Sequence, residues 1–457
     1  MTGSSPRYRL ASLDEVAADV RPTMALVPAG GEVWEDFLDT IGLDLDRFCT
    51  EGPGGWILGH VRALSSEGWR TAMILFSGRI KAARYYLQPE SGAVIAVLPA
   101  PRWYLALRGP FATYHQVNFG PRRQGAVAVL RQVIGAGLSL CSTPRQRFDA
   151  TLSRLGCRAI IAQEYEYFRL DACLAAGRRS GLPVFASFQG GTQDSNVLSR
   201  RWKRRSLERC AALLIAASDE VARVRRAYGS SVRIRQIFNP VDLADWPGPE
   251  GRDGERRRLG LADDEIAVMW HGRIAIHSKG LDVMVAAWRR MRASHPHLKA
   301  RLFLKGTGED AGAFAALLTE ANCPSIDWDD RFDTDLSSIR RFLSAGDIYA
   351  FPSRLEGFPV APIEAMSCHL PVVGADASGV ADIVGPDAPA CVPCGDVEAF
   401  ATALAALISE PETARARGLA ARRRVETALS AAAAGKDLMA LLREHDATGG
   451  GTAHARP

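Results

Sequence analysis

Four charged side chains in the second half of the chain have the types and spacing to hold a diphosphate and the group attached to it. Arg273 and Lys279 flank a turn that begins His271-Gly272-Arg273 and ends Lys279-Gly280. An apolar run at 266–271 leads into this turn. A helical pattern leads out of it, with Leu281, Met284, Val285 and Trp288 on one face. The turn therefore offers a guanidinium fork, an ammonium and the free N–H groups of a helix start to one spot, which is the donor set a diphosphate takes. Glu356 and Glu364 follow in the stretch Glu356-Gly357-Phe358-Pro359, with Pro362 just ahead of the second acid. An apolar strand pattern at 347–351 closes at Pro352-Ser353, so both glutamates lie beyond a strand's carboxyl end, where open α/β sheets bind ligands. Pro362 suits the first turn of a helix and places Glu364 in it. An acid there also complements the helix dipole without any ligand. The turn Gly306-Thr307-Gly308-Glu309 shares this edge, although any tight strand-to-helix turn uses such a pattern.

These residues need a scaffold, and the alternation of short apolar runs with helical periodicity supplies one: a parallel sheet with helices on both faces. In the first half, strands are expected at 23–27, 70–76, 93–98, 158–162, 183–187 and 212–216. Helices are expected at 56–67, 125–136, 168–179 and 219–228. Asn239-Pro240-Val241-Asp242 and the following Trp246-Pro247-Gly248-Pro249 read as a linker and hinge. A second series follows, with strands at 266–271, 300–304, 347–351 and 371–374. Helices lie between them, and others are expected at 396–408 and 411–446. The expected fold class is α/β, with two Rossmann-like domains facing across a cleft. An extension at 1–20 precedes one domain at 21–238 and a second at 239–415. A helix at 416–446 is free to pack back on the first domain, and 447–457 form a disordered tail.

From about Ala159 to Phe400 the chain resembles the large GT-B family of retaining glycosyltransferases called family 4. The stretches that carry the resemblance are LLIAASDEVARVRRAYG, IRQIFNPVDLADW, HGRIAIHSKGLDVMVAAW, LFLKGTGED, DIYAFPSRLEGFPVAPIEAMSCHLPVVG and CVPCGDVEAF, in the family's order. GPGGWILGHVRAL resembles the family's glycine-rich loop more weakly. The resemblance implies a nucleotide-sugar donor as co-substrate and no metal or other cofactor. It implies that Arg273 and Lys279 neutralise the donor diphosphate, that Glu364 binds the ribose hydroxyls, and that Glu356 with the backbone of Gly357 and Phe358 holds the transferred sugar. Gly54 and Gly55 would let backbone approach the donor. Pro359, where many relatives have glycine, removes one N–H. Gln189 and the run Glu164-Tyr165-Glu166-Tyr167 stand where relatives often carry histidine or a His-Asp pair, so acceptor identity does not carry over. His60, His115 and His277 are candidate bases, against the commoner reading of a structural histidine.

Composition narrows the classes. The chain has 457 residues, 47% hydrophobic and 23% charged, with a net charge of +5. It has no apolar run near the roughly 18 residues that span a bilayer and no apolar leader, so a cytoplasmic protein is expected. Nine cysteines at irregular spacing make no disulfide framework, and Cys391 and Cys394 lack further ligands for zinc. The basic run Arg200-Arg201-Trp202-Lys203-Arg204-Arg205 reads as a solvated helix face, with weak contact to an anionic membrane surface as the alternative. No nucleic-acid motif accompanies it. Asp44/Asp46 and Asp333/Asp335 are each D-x-D, read as surface acids rather than metal ligands. The acceptor is expected to be a glycan, a lipid or a small molecule. Two other readings stand beside the transferase: a nucleotide-sugar epimerase on the same fold, and an idle donor-binding subunit of a transferase complex.

Overall fold

The computed structural model describes residues 7–28, 32–51, 55–108, 134, 137–138, 141–188, 197–331, 333, 335–386, 388–389 and 391–447. The chain divides into two compact units. Unit 1 comprises Met1–Ile215, Val221–Ile237 and Gly435–Pro457, and unit 2 comprises Ala216–Glu220 and Phe238–Ala434.

Unit 1 is built on a nine-stranded sheet of β1 (Arg9–Ala11), β2 (Thr23–Val27), β3 (Arg70–Ser77), β4 (Arg84–Leu87), β5 (Val94–Pro99), β6 (Cys157–Gln163), β7 (Val184–Ser187), β8 (Ala212–Ile215) and β9 (Ile234–Gln236). The order is β1-β4-β5-β3-β2-β6-β7-β8-β9. Pairs β1–β4 and β4–β5 are antiparallel and the rest are parallel. All residues of β2, β3 and β5 are buried, as expected of central strands covered on both faces. Helices of this unit are α1 (Leu13–Ala17), α2 (Glu35–Ile41), α3 (Leu45–Glu51), α4 (Gly55–Ser65), α5 (Arg102–Leu107), α6 (Arg145–Arg154), α7 (Arg169–Ser180) and α8 (Val197–Glu208). Helix α9 (Ser218–Tyr228) begins in unit 2 and continues in unit 1. Within the stretch expected as an extension, residues 9–11 and 13–17 instead form β1 and α1, Tyr8 is buried, and Val16 enters the core cluster of the sheet. The expected helix at 125–136 falls almost wholly outside the described residues.

Unit 2 carries α10 (Arg252–Arg258) and a five-stranded parallel sheet of β10 (Ile266–His271), β11 (Ala300–Lys305), β12 (Ile326–Asp329), β13 (Ile348–Phe351) and β14 (Val372–Gly374), in the order β12-β11-β10-β13-β14. Strand β10 shows why the sheet is covered on both faces. Its Val268 and Trp270 enter one apolar cluster with Trp288 and Phe400, while Ala267 and Met269 enter another with Phe342 and Ile363. The connecting helices are α11 (Ile276–Lys279), α12 (Leu281–Ser294), α13 (Ala311–Ala321), α14 (Leu336–Ser344), α15 (Ala361–Ser367) and α16 (Val380–Val384). The chain then runs from β10 outward through β11 to β12, and returns to the other side of β10 through β13. The order thus reverses between β10 and β13, a topological switch point where such sheets bind ligands beyond the strand ends.

The expected helix at 411–446 is interrupted. Helix α17 (Val397–Ser409) is followed by α18 (Pro411–Arg424), a π-helical turn at Val425–Leu429 and α19 (Ala431–His445). Ser430 between them is extended, with ψ 158°, and bridges to Val241. From Gly435 onward α19 groups with unit 1, and its backbone lies so close to α4 that a Cβ at Gly435 would stand 2.3 Å from the Ala63 oxygen.

Candidate functional site

The loops that leave β10, β11 and β13 are sewn into one surface. The Gly272 N–H donates to the Lys305 oxygen (3.1 Å), and that of Ile274 donates to Thr307 (2.9 Å). The Arg354 N–H donates to Ser278 (2.9 Å), and the Arg354 guanidinium grips Asp282 through two bonds of 2.7 and 2.8 Å. Two glycines make the approach close enough. Gly280, at φ +63°, would put a Cβ 2.0 Å from the Pro352 oxygen, and Gly306, at φ +141°, would put one 1.9 Å from the Gly272 oxygen. Only a residue without Cβ fits either place.

On this surface the candidate residues meet. Lys279 ends α11 and donates to Glu356 Oε1 at 2.7 Å, with the Glu356 side chain only 9% exposed. An ammonium has three donors, so this one can hold Glu356 and still offer N–H groups to a phosphate oxygen. Arg273 is more open: its pair with Glu309 (2.7 Å) is about half exposed on both sides. Exposed pairs of that kind contribute little, which leaves the guanidinium free to turn toward an anion. Glu364 lies in the first turn of α15, with Pro362 at the helix start. Its Oε2 is 2.8 Å from Nε2 of His271, and His271 Nδ1 is 3.1 Å from the hydroxyl of the fully buried Tyr349. A carboxylate only accepts, so Nε2 carries the proton in this bond. Burial, with Glu364 and Glu356 nearby, holds the Tyr349 phenol protonated well above its ordinary range.

Gly357 and Phe358 follow Glu356 in the loop after β13. The Phe358 ring is buried and stacks on Phe238 at 5.4 Å, and its carbonyl accepts from Asn239 Nδ2. Gly54 lies outside the described residues, and Gly55 opens α4 in unit 1. His115 and Gln189 also lie outside them. His60 is buried, and His277 is exposed with its carbonyl accepting from Arg354.

Some residues differ from their expected roles. Asp333 is no plain surface acid. With Asp329 it flanks the buried Lys305 ammonium, at 3.2 and 3.1 Å. A hydrogen bond from Arg331, reinforced by Lys305, pulls Asp329 down to about 2 against the cost of its burial. Asp335, Asp44 and Asp46 are exposed, as expected: Asp335 caps α14 through the Ser337 N–H, Asp44 accepts from the Arg47 N–H, and Asp46 bonds Arg84 and Tyr86. The basic run on α8 is not a uniform solvated face either. Lys203 turns inward to the carbonyls of Tyr165 and Glu166 (2.7 and 2.9 Å), and burial lowers its pKa. The His271–Glu364 pair joins residues 93 apart in sequence; the only local hint was a histidine where β10 ends.

Residues 265–410 match the family described as Glycosyl transferases group 1, a stretch that begins just before β10 and takes in all these loops. In fold, the chain is similar to sucrose-phosphate synthase from Thermosynechococcus elongatus, with a TM-score of 0.65 and 17% identity over 94% of this chain and all of that one. The chain has the GT-B fold, and residues 265–410 carry its match to the group 1 glycosyltransferases. This GT-B chain is 26% identical, over 276 residues, to the GDP-mannose-dependent monoacylated alpha-(1-6)-phosphatidylinositol monomannoside mannosyltransferase of Corynebacterium glutamicum. The match covers 57% of this chain and 70% of the relative. It is 30% identical, over 249 residues, to a lipopolysaccharide core biosynthesis mannosyltransferase of Rhizobium leguminosarum bv. viciae, covering 53% and 66% respectively. Among the described residues no helix is long and apolar enough to cross a membrane, and no group of three or more His, Cys, Asp or Glu is placed to hold a metal ion.

Proposed function

We propose that this protein is a family 4 enzyme that transfers a hexosyl group from a nucleoside-diphosphate sugar to an acceptor hydroxyl with retention at the anomeric carbon. The observation that carries the reading is the joining of Arg273, Lys279, Glu356 and the His271-held Glu364 at the β10/β13 switch point. Arg273 and Lys279 bind the diphosphate and stabilise the charge that grows on it as the bond from C1 to the phosphate oxygen breaks. Glu364 accepts from the ribose hydroxyls. Glu356 faces the sugar and offsets the positive charge that develops at C1. The acceptor oxygen bonds to C1 on the face the diphosphate leaves, and its proton passes to the departing phosphate oxygen. The two cations supply the charge that a divalent ion would otherwise bring, so turnover is independent of added metal.

The test is release of nucleotide from a panel of UDP-, GDP-, dTDP- and ADP-sugars, with and without EDTA. GDP-mannose comes first because one relative is named for its dependence on it. Slow hydrolysis without acceptor, insensitive to EDTA, is expected. Loss of turnover in EDTA that Mg²⁺ restores removes the metal-independent mechanism. Absence of hydrolysis with every donor favours an idle subunit, and free sugar inverted at C2 favours an epimerase.

A further inference from the structure

The carboxyl ends of β3 and β5 in unit 1 open onto a cavity of about 730 Å³ whose wall carries one sign of charge. Arg79, Lys81, Arg102, Arg145 and Arg147 line it, and among the described residues no aspartate or glutamate does. Three separate elements deliver them: the loop after β3, the start of α5 and the first turn of α6. Arg79 pairs with Asp39 at 2.6 Å, while the other four have no carboxylate partner among the described residues.

The wall is held in place from beneath. Glu35, only 3% exposed, accepts from the Ser77 hydroxyl and from the Gly78 N–H (3.0 Å). The Ser77 hydroxyl oxygen in turn accepts from the N–H groups of Arg79 (3.1 Å) and Ile80 (3.3 Å). Gly78 packs so closely on α5 that a Cβ would stand 3.2 Å from Leu105 Cδ2. On the other side, ten-residue α6 starts at Pro144 with no side-chain cap, and Pro144 to Arg147 all line the cavity. Four uncompensated cations in one concavity repel each other, and a concavity of one sign concentrates ions of the other.

We propose that this cavity binds a phosphate group carried by the acceptor of the transfer reaction; the assignment as acceptor rests on the transferase reading above. A carboxylate engages a single guanidinium fork. A phosphate monoester brings about −1.5 to −2 charges and three strong acceptor oxygens, which suits cations arriving from three directions. A soluble sugar or polyol phosphate is such a monoester; a phospholipid headgroup is a diester that presents the same kind of anionic oxygens with a single charge, and is the second source.

Calorimetric titration of inorganic phosphate into the full chain at low salt tests the cavity directly. Arg145→Gln/Arg147→Gln and, from the other elements, Lys81→Gln/Arg102→Gln are each expected to weaken phosphate binding tenfold or more. Arg201→Gln/Arg205→Gln removes equal charge from α8 outside the cavity and is expected to bind phosphate as the parent does. Unchanged affinity in both cavity variants, equal weakening in the α8 control, or loss only in Lys279→Gln overturns the proposal. With a donor that the parent hydrolyses, transfer to glycerol 3-phosphate is compared with glycerol, and transfer to phosphatidylglycerol vesicles with diacylglycerol vesicles. At least a tenfold preference in kcat/KM for the phosphorylated member of one pair is expected, and that pair identifies the source. A preference for the unphosphorylated members overturns the acceptor assignment. Donor hydrolysis without acceptor is followed in parallel: its absence removes the transferase reading, while the phosphate titration still judges the cavity.

Discussion

Glu364 and Glu356 occupy different electrostatic settings, and their contributions to turnover should differ accordingly. Glu364 is held by His271 and would bind a ribose that does not change during transfer, so its binding is uniform and enters KM. Glu356 is held by Lys279 and would face the carbon where charge develops, so it should act mainly in the transition state. Glu364→Gln is therefore expected to raise the donor KM about tenfold, the scale of one hydrogen bond to a charged group. Glu356→Gln is expected to lower kcat by about 10²-fold, the scale of one lost electrostatic contact in a transition state. His271 should follow Glu364, because it acts through that carboxylate. His271→Ala should raise the donor KM and spare kcat, and the double variant His271→Ala/Glu364→Gln should fall short of the product of the single effects. Independent, multiplicative effects would mean that the 2.8 Å bond does not orient Glu364 for its ligand. Steady-state kinetics at saturating acceptor read all four variants.

At the scale of elements, the site depends on how closely backbone approaches backbone. Gly280 serves at once as the end of α11, the start of α12 and the contact with the loop after β13. Gly280→Ala adds the penalty of φ +63° to a Cβ placed 2.0 Å from the Pro352 oxygen, so the loops must part. A loss of about 2 kcal/mol in stability is expected from strain of this kind, together with a raised donor KM. Parent-like thermal unfolding and KM would show that the approach is not needed. The same distinction between local and long-range causes explains what was legible in the sequence. Strands β2 and β10 match their expected bounds to the residue because a strand buried on both faces reads as an unbroken apolar run. Strands β1, β4, β9 and β12 were not expected. Their sequences RLA, RYYL, IRQ and IDWD are short and each carries a charged residue, and pairing with a neighbour makes them strands. The break at Ser430 has neither Pro nor Gly to announce it, and the bridge to Val241 sets it. Arg273, Lys279, Glu356 and Glu364 could be picked out by residue type and by position at strand ends. The pairing of His271 with Glu364, that of Lys305 with Asp329 and Asp333, and the grouping of cations in the unit 1 cavity could not, because each joins segments far apart in sequence.

Across the whole molecule, the two ligand-binding proposals fall in different compact units, so each ligand should leave its own protection pattern in hydrogen exchange. In unit 2 the backbone bonds from Gly272 to Lys305, Ile274 to Thr307 and Arg354 to Ser278 tie three loops together. A nucleoside diphosphate seated on the first loop should therefore slow exchange in all three. Segments 271–280, 306–310 and 352–364 should be protected together, as a cooperative piece of structure opens together. A ligand at about 100 times its dissociation constant adds about 2.7 kcal/mol to the bound state, which slows exchange through that opening about 100-fold. Inorganic phosphate should instead protect 78–81, 99–102 and 144–147, the three segments that build the unit 1 cavity. The experiment is exchange on the full chain with GDP or UDP, with phosphate, and with both. Protection of only the β10 loop by nucleotide would mean that the loops do not bind as one surface. Protection by nucleotide in the cavity segments, with none in unit 2, would reverse the assignment of donor and acceptor to the two units.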